Sequence, residues 1–517
     1  MPIPKKTLED LEFYQVVESI IPHSVTSLGK SKIKSLNPST DLNKINFDLT
    51  LVSEYTSSLE NENNFPNHAF DDLNTELKML EIKNSQLEID SFLKIKHVCK
   101  LTFLHIKFLK KFKNYYKSIY SLTDNLSIQK DIVNEINRVI DKYGFVKDNS
   151  SEELFEIRKT LSIVKSKIVQ TFTSALKMYN KLGFLDEINE SMIDNKRVLA
   201  VKSMYRRKVK GQMIGSSKTG GIVYIEPQET LVQSRKHQDL LYDEDQEIKK
   251  ILKKLTFFLA PYSNILNEYQ NYLTEIDFIY SKAKYAIEIK GVKPEIVKEK
   301  KISLINAFHP LLYLSNNKQK IKTHPQTIEL DKSNRIIVIS GPNAGGKSIT
   351  LKTIGLLQIM FQSGILIPVK IKSRMSIFNN IISDIGDNQS IENQLSTYSY
   401  RLKNMNSFLK KCDSNTLFLI DEFGTGSDPE LGGALAEIFL EVFYERNSFG
   451  IITTHYSNLK LLADELPNMS NANMEFDNRT LEPTFNLTIG NPGSSFTFEV
   501  AQKNGIPFNL INRAKKK

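Results

Sequence analysis

The chain has 517 residues, 40% of them hydrophobic and 25% charged, and a formal net charge of +10 at pH 7. That length is enough for two to four domains with a substantial core, and the excess of cations favours an acidic partner such as nucleic acid, unless it only reflects the codon usage of the source. Two distant cysteines, Cys99 and Cys412, exclude a disulfide framework and a zinc site; with no secretory apolar core and no apolar run of bilayer length, a cytoplasmic chain without a membrane partner is expected.

From Thr7 to about Ser150 the pattern predicts helices, interrupted by a polar loop at Glu60 to Pro66. Within this part, Ser91 to Thr123 has no acidic residue but carries Lys94, Lys96, Lys100, Lys107, Lys110, Lys111, Lys113 and Lys117. This stretch is either a solvated face on a packed helix or a surface for phosphates. A long amphipathic helix is predicted from Ser151, whose hydroxyl can cap it while Glu152 and Glu153 suit its positive end. Leu154, Ile157, Leu161, Val164, Ile168, Phe172 and Ala175 then recur at steps of three and four, the seam of a helix packed lengthwise on another. A second such pattern runs from Glu229 to Phe258, so the two predict an antiparallel lever with an insert at its tip.

The insert spans Asn195 to Pro227, with strands expected at Arg197 to Lys202 and Gly221 to Ile225. It has no Asp or Glu from Asn195 to Ile225, yet carries Lys196, Arg197, Lys202, Arg206, Arg207, Lys208, Lys210 and Lys218. Such a tip is either merely solubilising or a contact for a phosphate backbone that does not read sequence, and the lack of interspersed acids favours the contact.

A charged break with Gly and Pro at Lys290 to Lys301 marks the next boundary. The expected division is a helical core at 1–150, lever helices with the tip at 151–295, and an α/β domain at 296–517. In that domain Arg335 to Gly364 reads RIIVISGPNAGGKSITLKTIGLLQIMFQSG, a buried strand, a glycine-rich loop and a helix. Backbone N–H groups of Gly341, Pro342, Asn343, Ala344, Gly345 and Gly346 (Pro342 offering only its fixed turn), with the helix start, suit the phosphates of ATP. Lys347 can reach the β- and γ-phosphates, and the Ser348 hydroxyl can ligate Mg2+. An apolar strand at Leu417 to Ile420 ends in Asp421, placed to hold Mg2+, and Glu422, placed to polarise the attacking water. A third strand, Gly450 to Thr453, ends in Thr454 and His455, a histidine that is either structural or a donor to the γ-phosphate; its position at the same sheet edge favours the donor.

These segments have the arrangement of the ABC-type ATPases and resemble the MutS family, in particular its type II branch, which lacks a mismatch-reading domain. The resemblance rests on GPNAGGKS, on DEFGTGSDPELGGALAE at Asp421 to Glu437, on DIGDNQSIENQLSTYS at Asp384 to Ser399, on TTHY at Thr453 to Tyr456, on GIVYIEP, and on AFHPLL at Ala307 to Leu312. It implies a homodimer in which Ser396 completes the partner's ATP site, a dimerisation region at Gly490 to Ala514, and the lever helices transmitting ATP-driven closure to the tips. His324 is expected near the base, with no accompanying aromatic evident there. The implied activity is ATP hydrolysis by a clamp on branched or structured DNA that restrains recombination, or on ribosomal RNA of stalled or collided ribosomes. Phe-x-Glu, the mismatch wedge, occurs here only at Phe439 to Glu441 and Phe443 to Glu445 inside an ATPase helix, so mismatch reading is not expected. These residues include no counterpart of the branch's small nuclease domain, so nuclease activity is not expected of them. Two rivals are a transporter motor, which would need an LSGGQ-like signature in place of Gln394 to Thr397, and a scaffold that holds ATP without cleaving it.

Overall fold

The structure, a computed structural model, describes residues 3–61, 63–342, 345–386, 397–425, 429–477, 482–493, 501 and 505–515. They mix helix and sheet and fall into two compact units. One comprises Met1–Ala69, Leu104–Asn125 and Asn271–Lys517, the other Phe70–Phe103 and Leu126–Gln270. Neither unit is contiguous in sequence, whereas the sequence reading divides the chain at 150/151 and 295/296.

In the second unit, helices Glu152–Lys181 and Gln228–Leu259 pack along each other. The Ser151 hydroxyl accepts from Leu154 N at 3.1 Å, as the sequence predicts, and donates to Glu247 Oε1 at 2.8 Å. Between the helices lie four strands, β1 (Leu185–Ile193), β2 (Lys196–Lys202), β3 (Gly211–Ser216) and β4 (Ile222–Pro227), in the antiparallel order β1-β2-β4-β3. Leu199, Val201, Val223 and Ile225 meet Phe172, Ala175 and Tyr179 of the first helix, a small core that fixes the sheet to the lever's end. The tip therefore begins at Leu185 rather than Asn195. The outer strands β1 and β3 escape sequence reading because both are bulged and, Leu185 apart, neither has a buried position, with no apolar alternation to betray them.

The first unit holds two sheets. The smaller combines β5 (Glu295–Ile296), β6 (Ile302–Ala307), β7 (Gln326–Leu330) and β9 (Arg374–Met375). The larger combines β8 (Ile336–Ser340), β10 (Asn380–Asp384), β11 (Thr416–Ile420), β12 (Phe449–Thr453), β13 (Met469–Asp477) and β14 (Glu482–Ile489), in the order β10-β11-β12-β8-β13-β14 and parallel up to β13. β8, β11 and β12 are buried at every position, as continuous apolar runs in a doubly covered parallel sheet should be.

Helix Lys347–Gln362 carries Leu351, Ile354, Leu357 and Phe361 inward at helical spacing, but Leu356, Ile359 and Met360 are fully buried too. The reason is the start of the chain, which covers the helix. A Cβ on Gly355 would stand 2.4 Å from Leu419 on one side and 2.7 Å from Leu11 on the other, and Lys352 pairs with Glu12 at 2.7 Å.

Elsewhere in this unit Asp277 is fully buried and accepts from Ser24 Oγ at 2.8 Å, Val25 N at 3.1 Å, Thr26 N at 2.9 Å and Thr26 Oγ1 at 2.5 Å, with His68 Nε2 at 3.3 Å. Burial alone would raise its pKa, but the bonds from His68, Thr26 and Ser24 outweigh it and hold the carboxyl below its usual value. Beside it His105 is also fully buried, its Nε2 3.2 Å from the Asn67 carbonyl. Burial, reinforced by His68, pushes the His105 pKa down to about 4. The unfolded chain takes up that proton near pH 6.5 and the folded chain only near 4, so stability should fall as pH falls between these values. Between pH 7 and pH 5, urea unfolding should show a loss of stability that is roughly 2 kcal/mol larger in the parent than in His105→Phe. His309, buried with a pKa of about 4, leaves the variant a residual slope of the same sign.

Candidate nucleotide site and basic tip

Register along the parallel sheet brings the chemically active groups to one edge. Ile337, Ile451 and Leu419 are neighbours across β8, β12 and β11, as are Val338, Ile452 and Ile420, so the glycine loop, Thr453 and Asp421 all leave the same ends of their strands. The loop turns at Gly341 and Gly346, with φ of +128° and +92°. A Cβ on Gly345 would stand 3.2 Å from Met474 Cβ, so the loop runs close against β13 there.

The Lys347 ammonium, 3% exposed, donates to Gly341 O at 2.6 Å and lies 3.4 Å from His455 Nε2. Burial pushes the Lys347 pKa down to about 8, against the pull of Asp421 and Glu422. Burial and the ammoniums of Lys347 and Lys460 together lower that of His455. Three basic groups thus crowd the loop, which lowers the cost of bringing in a polyanion. Lys460 has no sequence signal: it sits in an ordinary helix, Ser457–Glu465, and only the fold brings it here.

Opposite them Asp421 Oδ1 accepts from Thr453 Oγ1 at 2.5 Å, and that hydroxyl accepts from Glu422 N at 2.8 Å. Glu422 has φ of +49°, a left-handed backbone unfavourable for a residue with a side chain. Ser348 is the second residue of helix Lys347–Gln362. Asn343, Ala344 and Ser396, singled out above, lie outside the described residues. Among the described residues no group of three or more His, Cys, Asp or Glu side chains could by itself hold a metal.

A cavity of about 260 Å³ adjoins Gly346, lined by Leu312, Ile321, His324, Thr350, Met474 and Phe485. The cavity does hold an aromatic that the sequence reading did not single out, Phe485 of β14, its ring 5.6 Å from that of His324. Its backbone is also left-handed, φ +59°, and its carbonyl accepts from Gln326 Nε2 at 2.5 Å. Phe485 was illegible because β14 returns to the loop only through its antiparallel pairing with β13.

Residues 337–517 match the family model described as MutS domain V. Proteins named endonuclease MutS2 align along nearly the whole chain: that of Geobacillus sp. (strain WCH70) is 33% identical over 99% of this chain and 64% of its own, and that of Bacillus velezensis 35% identical over 99% and 65%. The chain belongs to the MutS family and is of the MutS2 type. It spans about two-thirds of the length of these curated relatives.

In this MutS-family chain the tip is less uniformly basic than the sequence suggests. Lys196 pairs with buried Glu226 at 3.4 Å, and Arg197 pairs with Glu190 of β1 at 2.5 Å while lying 4.4 Å from the Phe172 ring centroid. Lys208 lies over Phe184 and Tyr205. Lys196 and Arg197 brace the sheet, whereas Lys202, Arg206, Arg207, Lys208, Lys210 and Lys218 are exposed. The acids come from β1 and Glu226, just outside the stretch that reads as acid-free. In the helical run, Lys94 is likewise occupied, by Glu76 at 3.3 Å.

If the cavity takes the base, Phe485→Ala should weaken ATP and ADP binding about tenfold by removing one stacking face, while Met192→Ala on the tip leaves binding unchanged. Isothermal titration with each nucleotide measures both.

Proposed function

We propose that the chain is the ATPase and clamp part of a homodimer that grips branched or otherwise structured DNA and couples the grip to ATP hydrolysis, as in suppression of recombination. The observation that carries the reading is the single sheet edge bearing Lys347, His455 and Lys460 on one side and Asp421 with Glu422 on the other. The glycine loop and Lys347 bind the phosphates, His455 and Lys460 add positive charge beside them, and the cavity between His324 and Phe485 takes adenine. Ser348 and Asp421 would hold Mg2+, which would supply positive charge to offset that of the phosphates. Glu422 orients the attacking water, with Thr453 fixing both acids, and Ser396 completes the site of the partner protomer. In this reading 1–150 form a helical core, 151–295 the lever and tip, and 296–517 the ATPase, while the exposed cations of the tip meet phosphates without reading bases.

Removing the base should separate binding from turnover. Glu422→Gln is expected to cut steady-state ATP hydrolysis by about a hundredfold or more while leaving ATP binding in equilibrium dialysis within a factor of a few. Unchanged turnover would support an ATP-holding scaffold instead. For the tip, Arg206→Ala with Arg207→Ala should weaken binding to a four-way DNA junction and reduce the salt slope by about 1.8. If instead the parent sediments with ribosomes in an ATP-dependent way and ignores junctions, the partner is ribosomal RNA.

A further inference from the structure

Glu422 does not hold its left-handed backbone unaided. Its carbonyl accepts from Arg401 Nη1 at 2.9 Å and from Thr425 Oγ1 at 2.9 Å and Thr425 N at 3.2 Å, and Arg401 Nη1 also donates to Thr425 Oγ1 at 2.6 Å. From the other side, Glu422 N is tied to Thr453. The residue is thus clamped at both ends of its own peptide unit, in a conformation that its side chain would otherwise disfavour. Arg401 lies in the first turns of helix Thr397–Lys411, a helix that Asn404 also moors to the end of β10 through Asp384 Oδ1 at 2.9 Å. A single guanidinium therefore joins this helix to the backbone of the acid at the end of β11.

We propose that Arg401 is a positioning residue for ATP hydrolysis: by holding the Glu422 carbonyl and Thr425 together it keeps the Glu422 carboxylate aimed, and it passes any displacement of helix Thr397–Lys411 to that acid. The inference rests on the reading of Glu422 as the group that orients water. A charged donor suits the task, because bonds from an ionised group are stronger than neutral ones and a planar guanidinium fixes direction as well as distance. Among the described residues no other side chain is seen to supply the same link, since Thr425 bonds Glu422 only within their own turn.

The test is a double-mutant cycle on the full chain, with turnover at saturating ATP, KM and ATP binding measured for Arg401→Ala, Glu422→Gln and the pair. Arg401→Ala is expected to lower kcat on the order of tenfold to a hundredfold with KM within about twofold. Arg401→Lys, which restores one charged donor, should recover part of the loss. In the Glu422→Gln background, Arg401→Ala should cost nothing further, because the group it aims is gone. The same proportional loss in both backgrounds, or an unchanged kcat in Arg401→Ala, would overturn the inference. Should Arg401→Ala not fold, Thr425→Val removes the hydroxyl leg of the clamp, is expected to lower kcat, and is judged by the same cycle. Full turnover in Glu422→Gln alone would instead bring down the reading of Glu422, a failure distinct from one seen only at Arg401.

Discussion

The nucleotide edge depends on one constraint, the parallel register of β8, β12 and β11. A shift of a single residue in that ladder would reverse the faces of the strand and move Thr453 out of reach of Asp421. The register is held from both sides, by helix Lys347–Gln362 on one face and by a cluster containing Phe418, Phe443 and Leu459 on the other. Gly450 illustrates how closely: a Cβ there would stand 2.2 Å from the Phe418 ring. With the strands locked, a threonine hydroxyl can bridge two successive acids, its proton on Asp421 and its lone pair on the Glu422 amide. The proposed hydrolysis gives those acids different roles, and the bridge distinguishes them by fixing one through its carboxylate and the other through its backbone.

The tip shows the opposite economy of charge. Its cations divide into those that build the sheet and those left at the surface, and the division follows packing. Arg197 flattens against Phe172 and pairs with Glu190, so its removal would loosen the seat of β2 before it affected any partner. Arg206 and Arg207 follow the short 3₁₀ turn Ser203–Tyr205 and project from it. Charge counted along the sequence weighs these residues equally. The structure does not.

Much was legible where a local rule governs. The Ser151 cap, the seam of the lever helices, the buried strand before the glycine loop and the acids after β11 each follow from residues near one another in sequence. Outcomes set by distant neighbours were not legible. Phe485 reaches the loop through strand pairing, Lys460 through the seating of its helix, and Arg401 through a bond to a carbonyl that any residue would carry. The almost complete burial of helix Lys347–Gln362 was hidden as well, because its second cover comes from residues at the far end of the chain.

That last feature bears on how the protein is made. Leu11 and Glu12 are translated well before the helix they cover, which follows several hundred residues later. At about 5–20 residues per second, the opening segment waits tens of seconds with its apolar side uncovered. Helix Lys347–Gln362 in turn lacks one of its covers until it meets that segment, so this unit completes its core by joining an earlier-made stretch to a much later one.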